Sequence, residues 1–162
     1  MGFSQHLINL IRSLYTNQEA VIRWNNERTE TFSIDKSVSQ GCILSPHLFS
    51  VYTEQIMRDS KTEDFGISIG GRKVSNLRYA DDTALITENQ ENLQRVVTKV
   101  REESSKAGLE MNVKKTKTMI ISRKPEGKKI EITVGDEILQ QVHKYIYLGT
   151  EISEEARSDK EI

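Results

Sequence analysis

Apolar positions recur at two periods along this chain of 162 residues, and the switches between them mark its elements. Phe3, Leu7, Leu10, Ile11 and Leu14 step by four, three, one and three, which predicts an amphipathic helix within residues 1–18. Residues 20–24 and 29–34 are β-forming runs around the polar stretch 25–28, an antiparallel hairpin. Residues 35–49 form a loop that ends at a helix, with Ser45 as N-cap and Pro46 as first helical residue. Leu48, Phe49, Tyr52 and Ile56 line one face of that helix, which runs to about residue 59. Gly70-Gly71 turns a hairpin over residues 67–74. Leu93, Val96, Val97, Val100 and Ala107 return at helical spacing from about Asn89, and Gly108 stands where a left-handed C-terminal cap belongs. Its charged residues, Arg95, Lys99, Arg101, Glu102 and Glu103, fall mainly on the opposite, solvated side. Strands are expected over residues 118–122, 130–134 and 138–142, with a last one over residues 145–152 that contains a glycine.

At 162 residues the chain suits one compact domain with a sizeable core, a small two-part domain being the alternative, and its apolar fraction of 36% is adequate for this. A formal net charge of −1 gives no general attraction to nucleic acid, so any such binding is local. Cys42 is the only cysteine, which excludes an intrachain disulfide and a cysteine-built zinc site. With no basic neighbour in sequence it fits a small buried residue better than a nucleophile. His6, His47 and His143 show no metal-ligand spacing. No signal peptide or membrane-length apolar run is present, so the expectation is a soluble intracellular protein, cytoplasmic or nuclear.

The candidate chemistry centres on Leu77-Arg78-Tyr79-Ala80-Asp81-Asp82-Thr83-Ala84-Leu85-Ile86. Apolar and β-forming residues flank two adjacent aspartates, which places the carboxylates at the tip of a hairpin. Whether the turn residues are Asp81 and Asp82 or Ala80 and Asp81, residues Leu77, Tyr79, Ala84 and Ile86 share one face, oily and suited to burial. Two neighbouring carboxylates are costly to ionise together unless a cation neutralises them. Magnesium binds through one or two carboxylates plus water and substrate phosphates, so the pair points to phosphoryl or nucleotidyl transfer. The plain alternative is a solvated Asp-Asp turn. Gln40 offers a donor and an acceptor, and Gly41 lets the backbone approach a strand or ligand, against the alternative of an ordinary helix start. Lys114, Lys115 and Lys117 could neutralise phosphates or simply solubilise a loop.

Taken together, these blocks resemble the reverse transcriptases of non-LTR, LINE-type retrotransposons. Gln40-Gly41-Cys42-Ile43-Leu44-Ser45-Pro46-His47-Leu48-Phe49 is similar to motif B and Tyr79-Ala80-Asp81-Asp82 to motif C. Gly108-Leu109 through Asn112 to Lys115-Thr116-Lys117 is similar to motif D, and Tyr147-Leu148-Gly149 to motif E. The resemblance implies an α+β right-hand polymerase palm, an antiparallel sheet with packed helices. Residues 1–36 would be a fingers-return helix and hairpin, 37–125 the palm core, 126–155 a primer-grip-like hairpin and 156–162 the truncated start of a thumb. It implies a two-metal magnesium site at Asp81 and Asp82, with Asp81 the more direct ligand. Gln40 and Gly41 would line the template and nucleotide pocket, Tyr79 would flank the primer end, and Lys115 would be a proton donor near the pyrophosphate. Leu148 and Gly149 would belong to the primer grip. RNA template, DNA primer and deoxynucleoside triphosphates are the implied partners, with no membrane and with self-association through an incomplete sheet.

Two departures stand inside motif B, where Ser37 replaces the usual glycine and Ser39 the usual arginine, removing a phosphate or template contact. The family's first catalytic strand, with its aspartate, would lie upstream of Phe3, and Asp35 lacks the context to replace it. The expectation is therefore a polymerase fragment, inactive alone. A non-catalytic remnant that binds RNA or a protein is the alternative. A nucleotide cyclase, which also carries paired acids on a hairpin, fits the motif B and motif E blocks poorly.

Overall fold

The structure, a computed structural model, describes residues 2–34, 42–122 and 129–155. It is an α+β protein whose contacts divide it into two compact units, Met1–Ser45 and Pro46–Ile162. Among the described residues no helix is long and apolar enough to cross a membrane.

The first unit opens with α1 (Gln5–Tyr15). Its start is fixed by Ser4, in extended conformation, whose Oγ accepts from the Leu7 N–H at 3.3 Å. It ends three residues before the predicted limit, because Thr16 turns extended and Asn17 takes φ +55°. No α1 residue is buried, and Phe3 and Leu14 are half exposed. The hairpin that follows is made of β1 (Glu19–Ala20), β2 (Arg23–Trp24), β3 (Glu27–Arg28) and β4 (Phe32–Ser33). Asn25 and Asn26, both at positive φ, turn β2 into β3 as a type I′ turn demands. β1 pairs β4 with Glu19 opposite Ser33, whereas β2 pairs β3 with Arg23 opposite Arg28. The register shifts by one residue between them, which is a β-bulge on the return strand. The Ile22 N–H, which donates to Thr29 Oγ1 at 3.0 Å, is satisfied there by a side chain.

In the second unit α3 (Gln90–Lys106) is the central post. Asn89 caps it through Oδ1 to the Asn92 N–H at 2.9 Å. Gly108, at φ +72°, closes it as a Schellman motif, with Gly108 N–H to Ser105 O and Leu109 N–H to Ser104 O. One side of α3 packs Val97 against Ile132, Val134 and Leu139. The other packs Val96 and Val100 against Met57 of α2 (Ser45–Asp59) and Phe65 of a 3-10 turn (Thr62–Phe65). Leu85 and Met111 touch both clusters. Gln94 docks β10 (Thr133–Val134) by accepting from the Thr133 N–H at 2.8 Å and donating to its carbonyl at 2.9 Å.

The other strands are β5 (Ile67–Ile69), β6 (Arg72–Val74), β7 (Asn76–Tyr79), β8 (Asp82–Leu85), β9 (Lys117–Thr118), β11 (Glu137–Ile138), β12 (Gln140–Gln141), β13 (Lys144–Tyr147) and β14 (Thr150–Ser153). Every ladder among the described residues is two-stranded, and only β9–β12 is parallel. The strand expected over residues 118–122 is shorter: β9 pairs only Lys117 with Gln140 and Thr118 with Gln141, the Ser122 N–H donates instead to the Glu154 carbonyl at 3.0 Å, and β10 turns into β11 through Gly135 at φ +64°. Residues 145–152 are a hairpin, not one strand: Leu148 and Gly149, both at positive φ, reverse β13 into β14. Of the face predicted for α2, Ile56 is buried, while Tyr52 is exposed and spends its hydroxyl on the Ala107 carbonyl.

Candidate active site

The two aspartates lie where β7 reverses into β8. Tyr79 pairs with Asp82 and Leu77 with Ala84, so Ala80 and Asp81 are the turn residues. Ala80 takes φ +50°, a conformation that type II′ turns demand and that glycine ordinarily supplies. Asp81 sits on the turn and Asp82 on the first position of β8, both exposed.

Cross-strand pairing puts Leu77, Tyr79, Asp82 and Ala84 on one face of the ribbon and Asn76, Arg78, Thr83 and Leu85 on the other. The second face points inward, opposite to the expectation from hydrophobicity. Leu85 enters both core clusters. Arg78 forms an ion pair with Glu54 of α2, and its Nε donates to Asn76 Oδ1 at 3.0 Å. Asn76 in turn donates to Thr62 Oγ1 at 3.2 Å and Ser75 Oγ at 2.9 Å. Glu54 also accepts from Arg58 Nε at 2.8 Å. Hydrogen bonds from Arg78 first, then Arg58, hold the Glu54 carboxyl below the usual range. A polar network therefore outbids the oily face for the inward position. Leu77 is left 49% and Tyr79 67% exposed, an open apolar flank beside Asp82.

A third attachment comes from β13. The Tyr147 hydroxyl lies 3.2 Å from the Leu77 carbonyl and 3.3 Å from the Asp82 carbonyl, one on each strand of the ribbon. Burial first, then the nearby Asp82 charge, pushes the Tyr147 phenol up, so its O–H remains a donor. Leu148 and Gly149 follow directly at the exposed tip of the β13–β14 hairpin. The structure thus brings Tyr79, Asp81, Asp82 and the Tyr147-Leu148-Gly149 turn into one region.

The remaining candidates divide. Lys115 lies in a turn whose backbone N–H donates to Asn112 O and Oδ1, each at 3.1 Å, and its side chain is exposed. Gln40, Gly41, Ser37 and Ser39 lie outside the described residues. Cys42 is half-buried, with its thiol held down chiefly by the Leu44 backbone and Ser45. Arg78 and Glu54 are not candidates in the sequence, and Tyr147 stands there only as part of the Tyr147-Leu148-Gly149 block, since each acts through a partner distant along the chain. Among the described residues no three His, Cys, Asp or Glu side chains converge on a metal-sized position. Asp81 and Asp82, adjacent and exposed at the turn, are the described carboxylates that could contribute oxygens to a hard cation.

Residues 1–152 match the family described as reverse transcriptase (RNA-dependent DNA polymerase). The chain belongs to the reverse transcriptases of non-LTR retrotransposons. It is 30% identical over 150 residues to a retrovirus-related Pol polyprotein from the type-1 retrotransposable element R2 of Nasonia vitripennis, covering 87% of this chain and 14% of that protein. It is 26% identical over 155 residues to the RNA-directed DNA polymerase from mobile element jockey of Drosophila funebris, covering 90% of this chain and 16% of that protein. A retrotransposon R2DM polyprotein of Drosophila melanogaster matches at 26% over 127 residues, 78% of this chain and 12% of its own length. The chain therefore spans well under a fifth of these relatives. In this reverse transcriptase domain the paired carboxylates stand at the turn of a hairpin tied to α2 through Arg78 and to β13 through Tyr147.

Proposed function

We propose that residues 37–125 are the palm of a right-hand polymerase, preceded by a fingers return and followed by a primer-grip hairpin, within a polymerase that extends a DNA primer on RNA. The reading rests on the paired carboxylates at the β7–β8 turn, fixed from the inside by Leu85 and Arg78 and open on the outside. Membership of the reverse transcriptases supports it. Asp81 and Asp82 would hold magnesium, which, when bound, neutralises charge on the nucleotide phosphates and favours the ionised primer hydroxyl. Tyr79, an exposed ring beside Asp82, presents a flat apolar surface to the primer end. Leu148 and Gly149 support that end from the neighbouring hairpin. Lys115, an exposed amine, supplies a proton to the departing pyrophosphate. Gln40 and Gly41 contact the template and the incoming deoxynucleoside triphosphate.

Among the described residues no further carboxylate converges on Asp81 and Asp82, and a two-metal site needs more than this pair, so residues 1–162 alone are expected not to polymerise. Two measurements test this. In magnesium, with an RNA–DNA primer-template, the purified chain is expected to incorporate no more deoxynucleotide than Asp81→Ala; incorporation that Asp81→Ala abolishes would overturn the inactivity. Manganese is expected to broaden the amide signals of residues 80–83, and Asp81→Asn with Asp82→Asn to abolish the broadening. Undisturbed signals at millimolar manganese would remove the metal-site assignment.

A further inference from the structure

We propose that the Tyr147 hydroxyl is a positioning latch, holding the Asp81–Asp82 turn at a fixed offset from the Leu148–Gly149 turn. This inference rests on the polymerase reading of the two turns. Tyr147 is the last residue of β13, so its backbone leads straight into Leu148. Its hydroxyl reaches a carbonyl on each strand of the carboxylate ribbon, the second being that of Asp82 itself. These contacts link residues 70 and 65 positions apart. Among the described residues, β7–β8 and β13–β14 share no ladder, so this hydroxyl is a direct polar link between them. One O–H serves two carbonyls at similar distance, which restrains sliding of either strand as well as separation. A turn that carries metal ligands and a turn that steadies a primer end must keep a constant spacing, since displacements of about an ångström cost catalysis heavily.

The chain as it stands permits the test, with Tyr147→Phe to delete only the hydroxyl and Tyr145→Phe as a control on the same strand. Amide hydrogen exchange in β7 and β8 reads the latch without any metal. Tyr147→Phe is expected to speed that exchange about fivefold, the scale of one neutral hydrogen bond, while Val96, Val97 and Val100 in α3 stay equally protected. The manganese midpoint for broadening at residues 80–83 is expected to rise severalfold in Tyr147→Phe and to stay unchanged in Tyr145→Phe. Unchanged exchange in Tyr147→Phe overturns the latch. Faster exchange with an unchanged manganese midpoint makes Tyr147 merely structural and overturns its positioning role. If the unsubstituted chain shows no manganese broadening, the metal-site reading falls, and the exchange comparison still decides whether the latch exists.

Discussion

Ala80 is the residue on which the carboxylate turn depends. Its φ of +50° is a left-handed conformation that costs a non-glycine residue about 1–2 kcal/mol, partly offset by the smaller entropy alanine loses on folding. Ala80→Gly is therefore expected to stabilise the chain by roughly 0.5–1 kcal/mol, read as a higher urea midpoint at unchanged slope. A lower midpoint would mean the turn is not strained at this position. Leu148, at φ +51°, carries the same burden beside Gly149, so both turns hold a side chain where glycine is easier. That feature could not be read from the sequence. The Asn25-Asn26 and Gly70-Gly71 turns were legible, because those residue types have a local reason to take positive φ. At Ala80 and Leu148 the conformation is imposed by cross-strand register, which a local reading leaves open between two turns.

Elements with a strong period and chemical ends were legible: α3 begins at Asn89 and closes at Gly108 as its sequence implies. What stayed hidden was which face of the carboxylate ribbon turns inward, because hydrophobicity favoured Leu77 and Tyr79 while Glu54, 24 residues away, pairs with Arg78. That pair ties α2 to β7, and its pH dependence has a definite sign. The Glu54 carboxyl is lowered in the folded chain, so it contributes stability that is full above the unfolded value of about 4.3 and is lost as pH falls through the folded value. Glu54→Gln is expected to be less stable than the parent by about 1 kcal/mol near neutrality, the gap closing as the pH falls below the unfolded value and through the lowered folded one. A gap independent of pH, in urea titrations across that range, would show that Glu54 acts through shape and not charge.

At the scale of the whole chain, apolar surface remains where neither propensity nor period could assign a neighbour. Leu77 and Tyr79 are exposed beside the carboxylate turn, Ile146 is exposed on β13, and α1 exposes Leu7, Leu10 and Leu14. A net charge of −1 supplies little repulsion to keep such surfaces apart. Unpaired strand edges add backbone donors and acceptors to them, since β7–β8 among the described residues has no third strand. The purified chain is expected to self-associate, with a weight-average sedimentation coefficient that climbs with concentration and with bound apolar dye. Salt separates the causes. Association through charges weakens as ionic strength rises, whereas apolar and backbone contacts persist and strengthen in sulfate. Leu77→Lys, which adds a charge to the open flank without touching Leu85 or Arg78 on the inward face, should lower the association while leaving the urea midpoint within about 0.5 kcal/mol of the parent. A monomeric sedimentation profile at every concentration, with no dye bound, would mean that these exposed side chains make no sticky surface in solution.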